Sequence, residues 1–250
     1  MPASEEEIKI SYANALKKAK TRQEGSCCGP ATATCCPPSE EIIDSAPVVD
    51  QSISFGCLRL EDIIPLHVKH GMVGIDFGSG PGHDLMLLAR AVGPEGRAIG
   101  VDMTRDMIVE AESVAEERGL KNVELVKANI EKIPLPDEIA DIIISNCVIN
   151  LASNKENVFK EAYRLLKPGG VLLDADVIAG RPLDENIRNN KELWCSCVGG
   201  ALTEDRHRQL LEKIGFENIS IEYGSKDQVT FDKQEVGIYS GLVSAKKPVN

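Results

Sequence analysis

The sequence predicts an α/β fold, in which helices cover both faces of a mostly parallel β-sheet. From residue 72 onward, short apolar stretches alternate with stretches whose apolar residues have helical spacing. The stretch Ile142-Ile143-Ile144 is apolar without interruption, as expected for a strand that is buried on both faces. The first predicted strand runs into the glycine-rich turn Gly78-Ser79-Gly80-Pro81-Gly82, and a helix-like stretch follows. These observations predict parallel strands joined by right-handed crossovers.

About seven strands are predicted, at residues 73–77, 98–102, 123–127, 141–145, 171–175, 217–223 and 236–245. The helices predicted between them span residues 84–92, 104–118, 155–166 and 203–214. In the second of these helices, Met107, Ala111 and Ala115 share one face. Lys167-Pro168-Gly169-Gly170 is expected to end the third helix, because proline and glycine do not continue a helix well.

The chain is expected to have three parts. Residues 1–38 are predicted to be a flexible, Cys-rich N-terminal tail with a polar helix over 4–24. Residues 39–72 form a second segment with a short helix at 60–70. Residues 73–250 form the main domain, interrupted by a polar, Cys-bearing insertion at about 177–202.

Composition excludes several classes of partner. The chain has 250 residues and a net charge of −11, which disfavours binding to nucleic acid and to anionic membranes. It shows no secretory signal and no apolar run near the roughly 20 residues that cross a bilayer. The sequence therefore predicts a cytoplasmic protein.

Eight cysteines are present, and none of them forms a C-x-x-C pair. In a reducing compartment, metal binding or thiol chemistry explains such a number better than disulfide bonds do.

The glycine turn predicts a site for a nucleotide-like cofactor. Glycine allows the backbone to approach a ligand closely, and the N-terminus of the following helix offers unpaired N–H groups. Asp102 ends the second strand, where a carboxylate accepts hydrogen bonds from ribose hydroxyls. His83 stands where a dinucleotide fingerprint has its third glycine. These features alone fit either NAD or S-adenosylmethionine.

Three further features favour S-adenosylmethionine. Asp76 precedes the first glycine, Asn129-Ile130-Glu131 follows the third strand, and Lys167-Pro168-Gly169-Gly170 precedes the fifth. Over residues 70–245 the set resembles the class I S-adenosylmethionine-dependent methyltransferases. The resemblance implies a Rossmann-like, doubly wound, seven-stranded sheet whose last strand is antiparallel, and makes residues 73–250 the methyltransferase domain.

The resemblance also implies roles for individual residues. The glycine turn would lie against the methionine part of the cofactor, with Asp76 and Asp84 holding its amino group. Asp102 would bind the ribose, while Met103 and Asn129 would contact adenine. The implied cofactor-binding residues are Asp76, Gly78, Ser79, Gly80, Asp84, Asp102, Met103, Asn129, Ile130, Glu131 and Asn146.

Cysteines mark the predicted acceptor site. Cys147 follows the fourth strand, at the edge of the sheet where ligands bind in such folds, and Cys57 and Cys197 could converge on it. Three thiols suit a thiophilic centre such as trivalent arsenic. The segments S-N-C-V-I-N-L and C-V-G-G-A-L resemble those of the arsenite methyltransferases.

That second resemblance implies that Cys57, Cys147 and Cys197 are the catalytic, arsenic(III)-binding residues. The substrate would be arsenite or its thiol conjugate, and glutathione or thioredoxin would serve as the thiol reductant. Cys27, Cys28, Cys35 and Cys36 resemble the terminal vicinal cysteines of that family. They are expected to capture arsenic or to bind metals adventitiously.

Two alternatives remain open on the sequence alone. The first is a methyltransferase for a small organic acceptor, in which the cysteines are merely buried. The second is a non-catalytic protein that binds a metalloid or zinc through the tail cysteines.

Overall fold

The computed structural model describes residues 3–21, 58–231 and 234–249. Its helices are α1 (Glu5–Thr21), α2 (Ile64–His67), α3 (His83–Val92), α4 (Arg105–Glu117), α5 (Lys155–Leu165), α6 (Glu185–Arg188), α7 (Lys191–Cys195) and α8 (Glu204–Ile214). Two 3-10 turns occur at Leu60–Asp62 and Ile149–Leu151. The strands are β1 (Val73–Phe77), β2 (Arg97–Asp102), β3 (Val123–Lys127), β4 (Ala140–Asn146), β5 (Leu166–Ala179), β6 (Leu202–Thr203), β7 (Glu217–Phe231) and β8 (Gln234–Lys246).

One sheet organises the described residues, with the strand order β3-β2-β1-β4-β5-β8-β7. Strands β1 to β5 pair in parallel, and β8 pairs antiparallel with both β5 and β7. The predicted α/β fold with a Rossmann-like sheet and an antiparallel last strand is confirmed. The short strand β6, which pairs with β5, was not predicted.

Both faces of the sheet are buried, as the uninterrupted apolar strand predicts. Ile143 on β4 packs into one apolar cluster with Phe159 of α5 and Leu211 of α8. Its neighbours Ile142 and Ile144 point to the opposite face, where they pack with residues of α2 and α3. The alternation of side chains along a strand thus places β4 at the centre of a helix–sheet–helix sandwich.

The segment Lys167-Pro168-Gly169-Gly170 differs from its prediction. Helix α5 does end just before it, at Leu165, but the segment belongs to β5 rather than to a loop. Leu166 already pairs with Ala140, and the register of the two strands shifts before Val171. Gly169 has a φ of 82°, which accommodates this irregularity without ending the strand.

The predicted tail segment is described only over residues 3–21. There, Ala3, Ile8 and Leu16 are buried, and the helix begins with a capping box in which Ser4 and Glu7 exchange hydrogen bonds. Within the described ranges, the helices are all too short or too polar to cross a lipid bilayer.

Candidate functional site

A cavity of about 110 Å³ lies at the carboxyl ends of the parallel strands. It extends from the glycine turn after β1 to the segment that follows β3, and α1 covers it. Its lining includes every residue that the sequence assigned to the cofactor: Asp76, Gly78, Ser79, Gly80, Asp84, Asp102, Met103, Asn129, Ile130, Glu131 and Asn146. Cys147 lines the same cavity.

The glycine turn is held by β2. The N–H groups of Gly78 and Ser79 donate to the carbonyl oxygen of Val101, at 2.8 and 3.0 Å. Gly80 donates to Oδ2 of Asp102 at 3.0 Å, and its φ of 51° is a conformation that favours glycine. A Cβ at Gly80 would come no nearer than 4.0 Å to the surrounding protein. The turn therefore leaves space at Gly80 for a ligand.

Three carboxyl groups share this end of the cavity. Burial, followed by the charges of Asp84 and Asp102, raises the pKa of Asp76 well above its usual range. Burial also raises the pKa of Asp84, although Nδ2 of Asn146 donates to Oδ2 of Asp84 at 2.9 Å. The same cause raises the pKa of Asp102, against hydrogen bonds from the N–H groups of Thr104 and Gly80. A cationic group bound here would offset the electrostatic repulsion among these three carboxyl groups.

Another part of the cavity combines apolar and polar side chains. Met103 and Ile130 line it, and Asn129 presents a side-chain amide beside them. Oδ1 of Asn129 accepts from the N–H of Glu131 at 2.8 Å, while its Nδ2 donates to Oε1 of Glu5 on α1 at 2.6 Å. This arrangement suits a planar heteroaromatic ring with a polar edge.

These residues fit S-adenosylmethionine better than a dinucleotide. The three carboxyl groups of Asp76, Asp84 and Asp102 at the glycine turn suit the cationic groups of S-adenosylmethionine better than they suit the two phosphates of NAD. Oδ2 of Asp76 and Oγ of Ser79 are buried and have no hydrogen-bond partner among the described residues. They are therefore available for the polar groups of a ligand.

Two of the predicted arsenic ligands come together at the end of this cavity. Cys147 follows β4 and Cys197 follows α7, and Sγ of Cys197 donates to the carbonyl oxygen of Cys147 at 2.9 Å. Their φ angles are 56° and 65°, in the left-handed region that non-glycine residues seldom adopt. Such backbone strain is concentrated at functional sites, where the surrounding structure maintains it.

Asp176 lies beside Cys147 and Cys197 and adds a carboxyl group to the two cysteines. One side-chain ligand atom of each of Cys147, Asp176 and Cys197 lies within 4.8 Å of the others, and all three residues are buried. Burial, followed by the charge of Asp176, raises the pKa of Cys197 well above its usual range. Burial raises the pKa of Asp176 to about 6, although the N–H groups of Asn150 and Val177 donate to it. The thiol of Cys197 is therefore protonated in this cluster.

Lys155 and Trp194 lie beside the cluster. Nζ of Lys155 lies 5.0 Å from the centre of the Trp194 ring, and Nε1 of Trp194 donates to the carbonyl oxygen of Leu151 at 3.3 Å. Burial lowers the pKa of Lys155 to about 8, even though the charge of Asp176 acts in the opposite direction. Trp194 packs in the same apolar cluster as both cysteines, which makes its fluorescence a reporter of this site.

The cysteines of the chain differ in bonding state and in whether the structure describes them. Sγ of Cys147 is in a disulfide bond, whereas Cys195 and Cys197 are free thiols. Cys195 is half-buried and receives a hydrogen bond from Ser11 of α1. The predicted ligand Cys57 lies outside the described residues, as do the tail residues Cys27, Cys28, Cys35 and Cys36.

The residues of the site that sequence reasoning missed include Tyr12, Lys155 and Asp176. Asp176 had a recognisable signal. It lies with Asp174 in the part of β5 from Val171 to Ala179, which is otherwise apolar and where acidic residues carry a high cost of burial. Tyr12 and Lys155 had no such signal, because each lies in an ordinary amphipathic helix.

Comparisons with known proteins agree with this geometry. A family profile described as "Methyltransferase domain" matches residues 68–215. An arsenite methyltransferase of Halobacterium salinarum is 38% identical over 186 residues, which are 71% of this chain and 47% of that protein. The human arsenite methyltransferase is 34% identical over 221 residues, 85% of this chain and 58% of that one. The chain thus spans about half the length of these curated relatives.

Among solved structures, the chain is similar to an arsenic(III) S-adenosylmethionine methyltransferase from Chlamydomonas reinhardtii. The TM-score is 0.63 at 26% identity, over 96% of this chain and 73% of that one. The family match covers more than half of the chain, and it falls on the strands and turns that form the cavity. The chain therefore belongs to the methyltransferase domain family.

Proposed function

We propose that this protein transfers a methyl group from S-adenosylmethionine to trivalent arsenic, in a reaction that detoxifies arsenite. The observation that carries the proposal is that Cys147 belongs to two parts of the site. It lines the cofactor cavity, and it also belongs to the cluster with Cys197 and Asp176. Arsenic bound to Cys147 would therefore be adjacent to the cofactor. The named function of the relatives supports the same substrate.

On the cofactor side of the reaction, the protein would bind S-adenosylmethionine and orient it. When bound, S-adenosylmethionine supplies a methyl group on a positively charged sulfur. Asp76, Asp84 and Asp102 would hold the cationic and hydroxyl-bearing parts of this ligand, and Asn129 would bind the adenine edge. Holding donor and acceptor side by side supplies much of the rate enhancement that such a transfer needs.

The acceptor side depends on thiol exchange. Each cysteine sulfur forms a bond to arsenic, the bond from arsenic to hydroxide or an external thiolate breaks, and the thiol proton leaves with that group. The buried cluster then excludes water from the bound arsenic. Arsenic bonded to three sulfurs would keep a lone pair. This pair would form the arsenic–carbon bond while the bond between the methyl carbon and the sulfur of the cofactor breaks, which would release S-adenosylhomocysteine. Cys57 would be the third sulfur ligand.

A thiol reductant is a necessary partner in this scheme. Cys147 is in a disulfide bond and can bind arsenic only after two electrons have reduced that bond to thiols. Glutathione or thioredoxin would supply these electrons, and both belong to the reducing conditions of the cytoplasm. The substrate would arrive as arsenite or as its thiol conjugate.

The proposal is tested by incubating the protein with arsenite, methyl-labelled S-adenosylmethionine and a thiol reductant. We expect labelled methylated arsenic in the presence of all three components and none without the reductant. Calorimetry with S-adenosylmethionine establishes in parallel that the protein is folded and binds its cofactor. A protein that binds the cofactor but forms no methylated arsenic would contradict the proposal and favour a small organic acceptor.

A further inference from the structure

Helix α1 lies across both the cofactor cavity and the cysteine cluster. Its residues Glu5, Ile8 and Tyr12 line the cavity. Ile8 and Tyr12 also pack in the apolar cluster that contains Cys147 and Cys197. One helix, distant in sequence from the strands that carry the site, therefore contacts both halves of it.

The position of α1 is fixed at its first turn. Glu7 forms the capping box with Ser4 and an ion pair with Lys191 of α7, which directly precedes the Cys197 loop. Glu5 accepts a hydrogen bond from Asn129 at 2.6 Å. Polar contacts thus attach the helix to the adenine end of the cavity and to the element that positions Cys197.

Tyr12 contacts the sulfur of Cys197 directly, because its hydroxyl group donates a hydrogen bond to it. The S–H of Cys197 in turn donates to the carbonyl oxygen of Cys147. The sulfur of Cys197 therefore takes part in two hydrogen bonds.

We propose that Tyr12 is a positioning residue that orients Cys197 for arsenic, an inference that rests on the proposed function. When sulfur bonds to arsenic it loses its proton to the departing hydroxide or thiolate. The hydrogen bond from Cys197 to Cys147 then ends, while the one from Tyr12 persists. It continues to orient the sulfur and stabilises the negative charge that the sulfur acquires during exchange.

The experiment compares Tyr12→Phe with a matched control, Tyr223→Phe. Each substitution removes one hydroxyl group that donates a hydrogen bond, but Tyr223 is 47% exposed and donates to Glu204, outside the cavity and the cluster. For each protein we would measure the KM for arsenite, the dissociation constant of S-adenosylmethionine, and the dissociation constant of arsenite from Trp194 fluorescence after reduction.

For Tyr12→Phe we expect roughly a tenfold or greater increase in both arsenite constants, the range for loss of a hydrogen bond to a charged group. Cofactor affinity should stay within about twofold of wild type, since the hydroxyl group bonds to Cys197. Tyr223→Phe should match wild type throughout. Retained cofactor affinity also shows that Tyr12→Phe is folded.

Unchanged arsenite constants in Tyr12→Phe, with a methylating wild type, would overturn the inference and leave the proposed function intact. An equal loss of cofactor affinity would also overturn it, because Tyr12 would then support the whole cavity and not orient Cys197 specifically. Conversely, a wild type that binds arsenite without methylating it, and loses that binding in Tyr12→Phe, would refute the proposed function alone. A wild type that binds no arsenite would refute both.

Discussion

Gly200 packs directly against the backbone carbonyl group of Asn150, so that a Cβ at position 200 would lie 1.9 Å from that oxygen. Asn150 belongs to the turn that follows Cys147, and Gly200 belongs to the loop that follows Cys197. The close approach of these two backbones brings the two cysteines together. It also explains why glycines follow Cys197 in the segment C-V-G-G-A-L.

Gly200→Ala should therefore separate the two cysteines. A displacement of about 1 Å can cost roughly 100-fold in rate, so we expect kcat/KM for arsenite to fall by about that factor. The affinity for S-adenosylmethionine should change little. Gly237→Ala is the control, because a Cβ at Gly237 would have no neighbour within 4 Å. Equal activity of the two variants would refute this account of the motif.

Removal of single thiols should distinguish ligands from neighbours. Cys147→Ser and Cys197→Ser should each reduce arsenite methylation at least about 100-fold while cofactor binding persists, because oxygen binds arsenic less well than the softer sulfur. Cys195→Ser should retain activity, since Cys195 lies outside the cluster. The assay is the formation of labelled product under reducing conditions. Full activity in Cys147→Ser would remove it from the proposed role.

Gly80→Ala should weaken cofactor binding, whereas Gly119→Ala should cost similar stability and leave cofactor binding unchanged. The φ angles of Gly80 and Gly119 are 51° and 64°, so alanine is strained at both, at a cost of about 1–2 kcal/mol in unfolding free energy. At neither position does the added Cβ contact protein closely. The two positions differ because Gly80 lines the cavity and Gly119 is not among its lining residues.

Calorimetry should accordingly show at least a tenfold loss of S-adenosylmethionine affinity for Gly80→Ala and wild-type affinity for Gly119→Ala. Urea unfolding should give similar stabilities for the two variants. Wild-type affinity in Gly80→Ala would mean that the cofactor does not approach this turn.

His207 should make the fold sensitive to acid. Burial lowers its pKa from 6.5 to about 4, against a hydrogen bond with the carbonyl oxygen of Thr203 and with a smaller contribution from the charge of Lys155. Between pH 6.5 and about pH 4, His207 binds a proton in the unfolded chain but not in the folded protein. The free energy of unfolding therefore falls as the pH is lowered through this window, by up to about 3 kcal/mol from this residue.

His207→Asn should remove that contribution. Urea unfolding at pH 7 and pH 4 should show a smaller loss of stability for His207→Asn than for wild type. The exposed His67 provides the control, and His67→Asn should lose as much stability as wild type. Identical pH dependence in wild type and His207→Asn would contradict the assignment.

The sequence was most informative where function depends on residues next to the strands. Asp76, Asp102 and Asn129 each lie near the carboxyl end of a strand, so the parallel topology alone brings them to one edge of the sheet. Cys147 could be placed for the same reason. The pairing of Leu166 with Ala140 was not foreseeable, because local rules treat proline and glycine as breakers while the neighbouring strand determines the pairing.

The residues around Cys197 were harder to predict because they come from distant elements. Tyr12 reaches the site from α1, Lys155 from the first turn of α5, and Asp176 from β5. No periodicity connects these positions, and only tertiary packing brings them together. Cys197 itself could be assigned through its resemblance to a family motif, but not the hydrogen bonds that orient it.

The left-handed backbone at Cys147 and Cys197 has a consequence for saturation mutagenesis at these two positions. Glycine, asparagine and aspartate adopt this conformation most readily, whereas valine, isoleucine and threonine resist it. A library scored for protein abundance should therefore tolerate the first group and deplete the second. The same library scored for growth in arsenite should retain cysteine alone. At these positions the requirement of the backbone and the requirement of the chemistry select different amino acids.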